Sequence, residues 1–116
     1  MEELEEHIKN YRSKFEELRG RVDRIDFPDS ISRNHIEEKF DVSFRGKNFN
    51  VVIANLPKKR SSVEKENIYV HYRLGTKSKR ARVLYELIMA DLHGKEISEI
   101  NAKGVALKYH RTYLES

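Results

Sequence analysis

The sequence predicts a single α+β domain, and three observations predict it. Apolar residues at heptad spacing mark a long helix near the N-terminus. Alternating apolar and polar residues over 39–55 and 67–74 mark strands. A helical stripe follows directly on the last of those strands. The expected order is an N-terminal amphipathic helix, a three-stranded antiparallel sheet, a basic-ended helix packed on the sheet, and a C-terminal strand or helix. Residues 1–25 would be the helix, 39–94 the sheet-plus-helix core, and 95–116 a C-terminal extension.

The first element rests on Leu4, Ile8, Tyr11, Phe15, Leu18, Val22 and Ile25, spaced alternately by four and three. Glu2, Glu3, Glu5 and Glu6 suit the positive pole of a helix start. The seam serves either intramolecular packing or a homodimer through Leu4, Ile8, Tyr11, Phe15 and Leu18. Residues 26–34 (DFPDSISRN) read as a linker, because Pro28 stops a helix and Asp29, Ser30 and Ser32 supply turn chemistry. Residues 34–38 could add a short helical turn. A hairpin follows: Phe40, Val42 and Phe44 alternate, Gly46-Lys47-Asn48 turns the chain, and Phe49, Val51 and Ile53 resume the pattern. Residues 56–66 (LPKKRSSVEKE) are polar and aperiodic, which predicts a long loop.

The stretch 67–94 organises the rest. Ile68, Val70, Tyr72 and Leu74 form a strand, and Gly75-Thr76 breaks it. Ala81, Leu84, Tyr85, Ile88, Met89 and Leu92 then line one helical stripe, with Gly94 as its stop. Lys77, Lys79, Arg80 and Arg82 crowd the start of that helix. The helix dipole is already positive there, and each exposed cation costs about 0.3–1 kcal/mol. A helix that meets phosphate would carry cations beside its free N–H groups. In the last segment Val105, Leu107, Tyr109 and Tyr113 favour a strand, while Ala106, Tyr109, Tyr113 and Leu114 equally fit a helix. A helix-turn-helix over 84–114 is a further option, with its second helix at 96–103 and its third at 106–114.

Composition narrows the function. The chain carries no Cys and no Trp, so thiolate zinc sites, disulfides and cysteine nucleophiles are excluded. No apolar run approaches the roughly 20 residues of a membrane span, and the acidic start is unlike a secretory signal. A cytoplasmic location, no membrane and no cofactor are the expectations. The net charge of +4 is unevenly spread. Residues 56–82 hold nine cations and two carboxylates, net +7, while residues 1–29 are net −3. Clustering of this kind is the footprint of a nucleic-acid surface.

The candidate contacts are Lys58, Lys59 and Arg60 on the loop, Arg73 at the strand end, and Lys77, Lys79, Arg80 and Arg82 at the helix start. Arg45 and Asn50 on the hairpin suit base edges, as Asn48 does. Tyr69 and His71 are placed to stack on or touch nucleotides. Three strands, then Leu74-Gly75-Thr76, then a helix with Ala81 and Tyr85, followed by Gly94 and Asn101, resemble the plant ethylene-response-type DNA-binding domain and its phage integrase relatives. This resemblance implies a sheet in the major groove, with Arg45, Asn50 and Arg73 there. The order helix, strands, helix is also similar to double-stranded-RNA-binding domains, where Lys77, Lys79 and Arg80 would bridge phosphates.

Enzyme signals are sparse. Asp29 with Glu37, Glu38 and Lys39 could be a nuclease carboxylate–lysine set, but on a linker and at short spacing. His7, His35, His71, His93 and His110 lack metal-ligand spacing, and no phosphate loop or nucleophile elbow occurs. The expected function is therefore a non-enzymatic nucleic-acid-binding protein, duplex DNA favoured over RNA. The alternative is a protein-interaction module, inhibitor or subunit acting through the N-terminal helix.

Overall fold

The computed structural model describes residues 4–27, 39–93 and 95–116. Residues 28–34 of the linker, the short turn expected over 34–38, Asp29, Glu37, Glu38, His35 and the Gly94 stop lie outside them. The class is α+β. Helices α1 (Leu4–Asn10) and α2 (Arg12–Asp23) precede strands β1 (Lys39–Phe44), β2 (Lys47–Ala54), β3 (Ser61–Glu64) and β4 (Asn67–His71). Helices α3 (Thr76–Leu92) and α4 (Glu99–Glu115) complete the chain.

The N-terminal seam forms almost as one helix, interrupted at Tyr11, whose hydroxyl donates to Asp91 at 2.8 Å. Tyr11, Phe15 and Leu18 are buried in the chain's own core, with the Phe15 ring stacked 4.6 Å from that of Tyr109. These three seam residues are thus spent on intramolecular packing, and Leu4 remains 37% exposed.

The sheet has four strands in the order β1-β2-β4-β3, not three. It is mixed: β1–β2 and β3–β4 are antiparallel, and β2–β4 is parallel. The extra strand is β3, inside the segment expected to be all loop. Its sequence is Ser-Ser-Val-Glu, so it carries no apolar alternation to announce it. Val42, Phe44, Phe49, Val51, Ile53, Ile68 and Val70 face the helices and form the core with α2, α3 and α4. Register places Asn50, Tyr69 and His71 on the opposite face.

The C-terminal segment is a helix, not the favoured strand, and one helix rather than the two of a helix-turn-helix. Ser98 caps it, its hydroxyl oxygen accepting the Asn101 N–H at 3.1 Å. Ala102, Val105, Ala106, Tyr109 and Tyr113 recur at helical spacing and are all buried, so the 95–116 segment completes the core.

Candidate nucleic-acid interface

Four cations begin α3, and most of their bonds go to the chain itself. Arg80 sends Nε and a terminal nitrogen to the Ile25 carbonyl, at 3.0 and 2.8 Å, just beyond the end of α2. Lys77 Nζ donates to the Ser116 carbonyl at 2.6 Å, past the end of α4. Helix C-terminal ends are the negative poles, so two cations unfavourable at the start of α3 compensate two other helix ends. Lys79 is 4% exposed and donates to the Leu74 carbonyl. Its burial pushes the ammonium pKa down. Arg82 Nε donates to Ser61 Oγ at 2.8 Å, lies 3.8 Å from Glu86 and covers the Tyr85 ring at 4.3 Å.

The serine and glutamate form a buried polar network under β3. Ser61 Oγ donates to Glu86 Oε2 at 2.5 Å. Burial raises the Glu86 pKa, against the opposing pull of the Ser61 bond, Arg82 and Lys59. His110 is lowered by burial and then by Arg82 and Arg60. Arg60, Lys59 and Arg82 are thereby neighbours, although Arg82 lies 22 positions beyond Arg60.

Lys59, Arg60, Ser61, Arg82 and Glu86 line an open groove of about 1490 Å³. The β1–β2 turn borders it with Arg45 and Lys47, and the flanks of β3 supply Lys59, Arg60 and Lys65. Arg82, Lys95 and Lys103 complete eight cations, against Glu66, Glu86, Asp91 and Glu99. Two of those four carboxylates are already engaged by the fold, Glu86 by Ser61 and Asp91 by Tyr11. The turn itself is a tight two-residue hairpin with Arg45 at φ 53° and Gly46 at φ 76°. Left-handed φ at both positions is the geometry that matches the twist of the flanking strands.

The sequence-predicted residues therefore divide. Arg45, Lys59, Arg60 and Arg82 meet in the groove. Lys77, Lys79 and Arg80 do not line it. Lys58 is exposed beside the loop turn, at φ 63°. Arg73 follows β4, its guanidinium 5.6 Å from the Tyr72 ring and its Nε donating to the Tyr72 hydroxyl at 2.9 Å. Asn50 Nδ2 donates to Asn67 Oδ1 at 3.2 Å on the far sheet face. Of Arg45, Asn50 and Arg73, grouped by the resemblance to sheet-binding domains, Arg45 alone lines the groove. Lys47, Lys65, Lys95 and Lys103 were missed. Lys47 and Lys65 adjoin turns, which was a usable signal, whereas Lys95 and Lys103 stand alone in the sequence.

No group of three or more His, Asp or Glu side chains that could hold a metal ion occurs among the described residues. Among them, no helix is long and apolar enough to cross a membrane. No family model, curated protein or solved structure matches the chain.

Proposed function

We propose that the chain is a non-enzymatic duplex nucleic-acid-binding protein, with B-form DNA the favoured partner and the basic groove as its contact surface. The observation that carries this is the charge of the groove: eight cations against four carboxylates, two of them buried. Arg45, Lys47, Lys59, Arg60, Lys65, Lys95 and Lys103 are exposed, so their charge reaches solvent. The phenyl and phenol rings bordering the groove, Phe44, Phe49 and Tyr85, are buried, which leaves the imidazole of His93 as the exposed ring in its lining. Single strands need exposed rings for base stacking, and phosphate contacts need only cations. A two-stranded ribbon tipped by Arg45 and Lys47 fits the major groove of B-DNA, which the deep, narrow major groove of duplex RNA does not admit.

Fluorescence anisotropy with labelled duplex DNA, single-stranded DNA and duplex RNA at two salt concentrations tests this. Duplex DNA should bind most tightly. If about four phosphates are neutralised, log K should fall against log salt with a slope near −3.6, about 0.9 per contact. Absence of salt-dependent binding to any of the three refutes the proposal.

One observation favours a second reading, a protein-interaction module. Ile100, Leu107 and Leu114 form a stripe at seven-residue spacing along α4 and are 84%, 48% and 37% exposed. Leu4 lies beside it against Gly104. Binding through this stripe would survive high salt, because apolar burial is not screened.

A further inference from the structure

Three cations converge on Asp91 from three separate segments. Lys14 comes from α2, Arg45 from the hairpin tip and Lys95 from the connection between α3 and α4. Their nitrogens stand 3.9, 3.6 and 3.7 Å from the carboxylate oxygens. Those separations are too long for hydrogen bonds, so Asp91 screens the cations without consuming their N–H donors. The carboxylate is 8% exposed and accepts the Tyr11 hydroxyl at 2.8 Å, whereas the cations keep 28%, 44% and 43% of their surface. Three positive charges and one buried negative charge leave a local excess of two.

Buried rings lie against two of the three cations. The Lys14 ammonium lies 5.2 Å from the centre of the Tyr11 ring, and the Arg45 guanidinium 5.6 Å from that of Phe44. Burial, and then Lys95 beside it, pushes the Lys14 pKa down. Like charges gathered this closely oppose folding, and an anion bound among them removes that opposition.

We propose that Lys14, Arg45 and Lys95 form a binding site for a phosphate monoester. An internal phosphodiester carries one negative charge. A monoester carries about −1.5 to −2 at neutral pH and presents three acceptor oxygens, which matches both the charge excess and the number of cations. The site rests on the groove reading for its context, because Arg45, Asp91 and Lys95 also line the groove. A strand lying there would present a terminal monoester at its 5′ end, and a free mononucleotide carries the same group.

Anisotropy of one duplex prepared with 5′-phosphate and with 5′-hydroxyl ends tests this, alongside direct titration of a 5′-mononucleotide by calorimetry. The 5′-phosphoryl duplex should bind about tenfold more tightly, as expected of one charged hydrogen bond at the bottom of the usual range. In Lys14→Met, which keeps the apolar stem, the ratio of the two affinities should fall toward one. Lys95→Met reads the same ratio independently. Equal wild-type affinity for the two duplexes, with salt-dependent binding retained, overturns the monoester site and leaves the groove reading standing. Mononucleotide binding that Lys14→Met weakens, with no duplex binding, supports the site and removes the groove reading. Binding of neither probe overturns both.

Discussion

Arg80 separates a structural cation from a ligand-binding one. Its guanidinium makes two hydrogen bonds to the Ile25 carbonyl, at 3.0 and 2.8 Å, and Ile25 itself is 5% exposed. A hydrogen bond to a charged group contributes about 1.5–3 kcal/mol. Both bonds end on one carbonyl and Arg80 is half-exposed, so the pair counts as one, near the bottom of that range. Arg80→Met keeps the stem and removes the donors, and should cost about 2 kcal/mol. At about 4 °C per kcal/mol for a chain of this size, Tm should fall by about 8 °C. Thermal unfolding at two salt concentrations measures it, with duplex anisotropy on the same variant well below its Tm. Arg80→Lys should recover less than half of the loss, because an ammonium lacks the planar fork. An unchanged Tm together with a tenfold loss of duplex affinity would refute the reasoning, since the guanidinium would then serve a ligand and not the end of α2.

Three further outcomes follow from the same geometry. Lys59→Ala and Arg60→Ala, both exposed, should leave Tm within the range of surface substitutions, about 0.5 kcal/mol. The pair together should flatten the salt slope by about 1.8, read by anisotropy. Glu86 has its carboxyl pKa raised above the ordinary 4.5, so the folded state holds its proton more tightly than the unfolded chain. Its contribution to stability is therefore complete below the ordinary value and is lost as pH rises from there through the raised folded value. Glu86→Gln should remove that part of the pH dependence in urea titrations, and an identical pH profile in the variant would exclude Glu86 as its source. Gly20 in α2 has open space where a Cβ would sit, so Gly20→Ala should raise stability by about 0.5–1 kcal/mol, measured by urea midpoint.

The elements legible in the sequence are those whose apolar period is clean. The seam from Leu4 to Ile25, the β1–β2 hairpin and the stripe from Ala81 to Leu92 bury most of the residues their spacing selects, with Ile8, Phe40 and Met89 half-buried and Leu4 exposed. The strand β3 was not legible, because only Val63 and Ser61 turn inward, and Ser61, the more buried of the two, is satisfied by Glu86 and Arg82 instead of apolar neighbours. Recognising it requires knowing that Glu86 lies beneath. In α4, Val105, Leu107, Tyr109 and Tyr113 mimic alternation, yet Leu107 is exposed and Ala102 and Ala106 are buried. Ser98 three residues before Asn101 was the available sign of a helix start.

Charge was legible as a segment but not as a surface. Lys77, Lys79, Arg80 and Arg82 are close in sequence, and the fold sends them to four different intramolecular partners. The cost of cations at a helix start has an answer within the chain for Lys77 and Arg80: the carbonyls beyond α4 and α2. Groove cations such as Arg45, Lys59 and Lys103 are remote in sequence and become neighbours only through the mixed sheet and the packing of α4.

Amide chemical-shift mapping during titration with a short DNA duplex tests the central claim most directly. The groove account predicts the largest shifts at Arg45, Lys47, Lys59, Arg60 and Lys103, with Asn50, Tyr69 and His71 on the far sheet face unchanged. Shifts concentrated on that far face, or at Lys77 and Lys79, would contradict it.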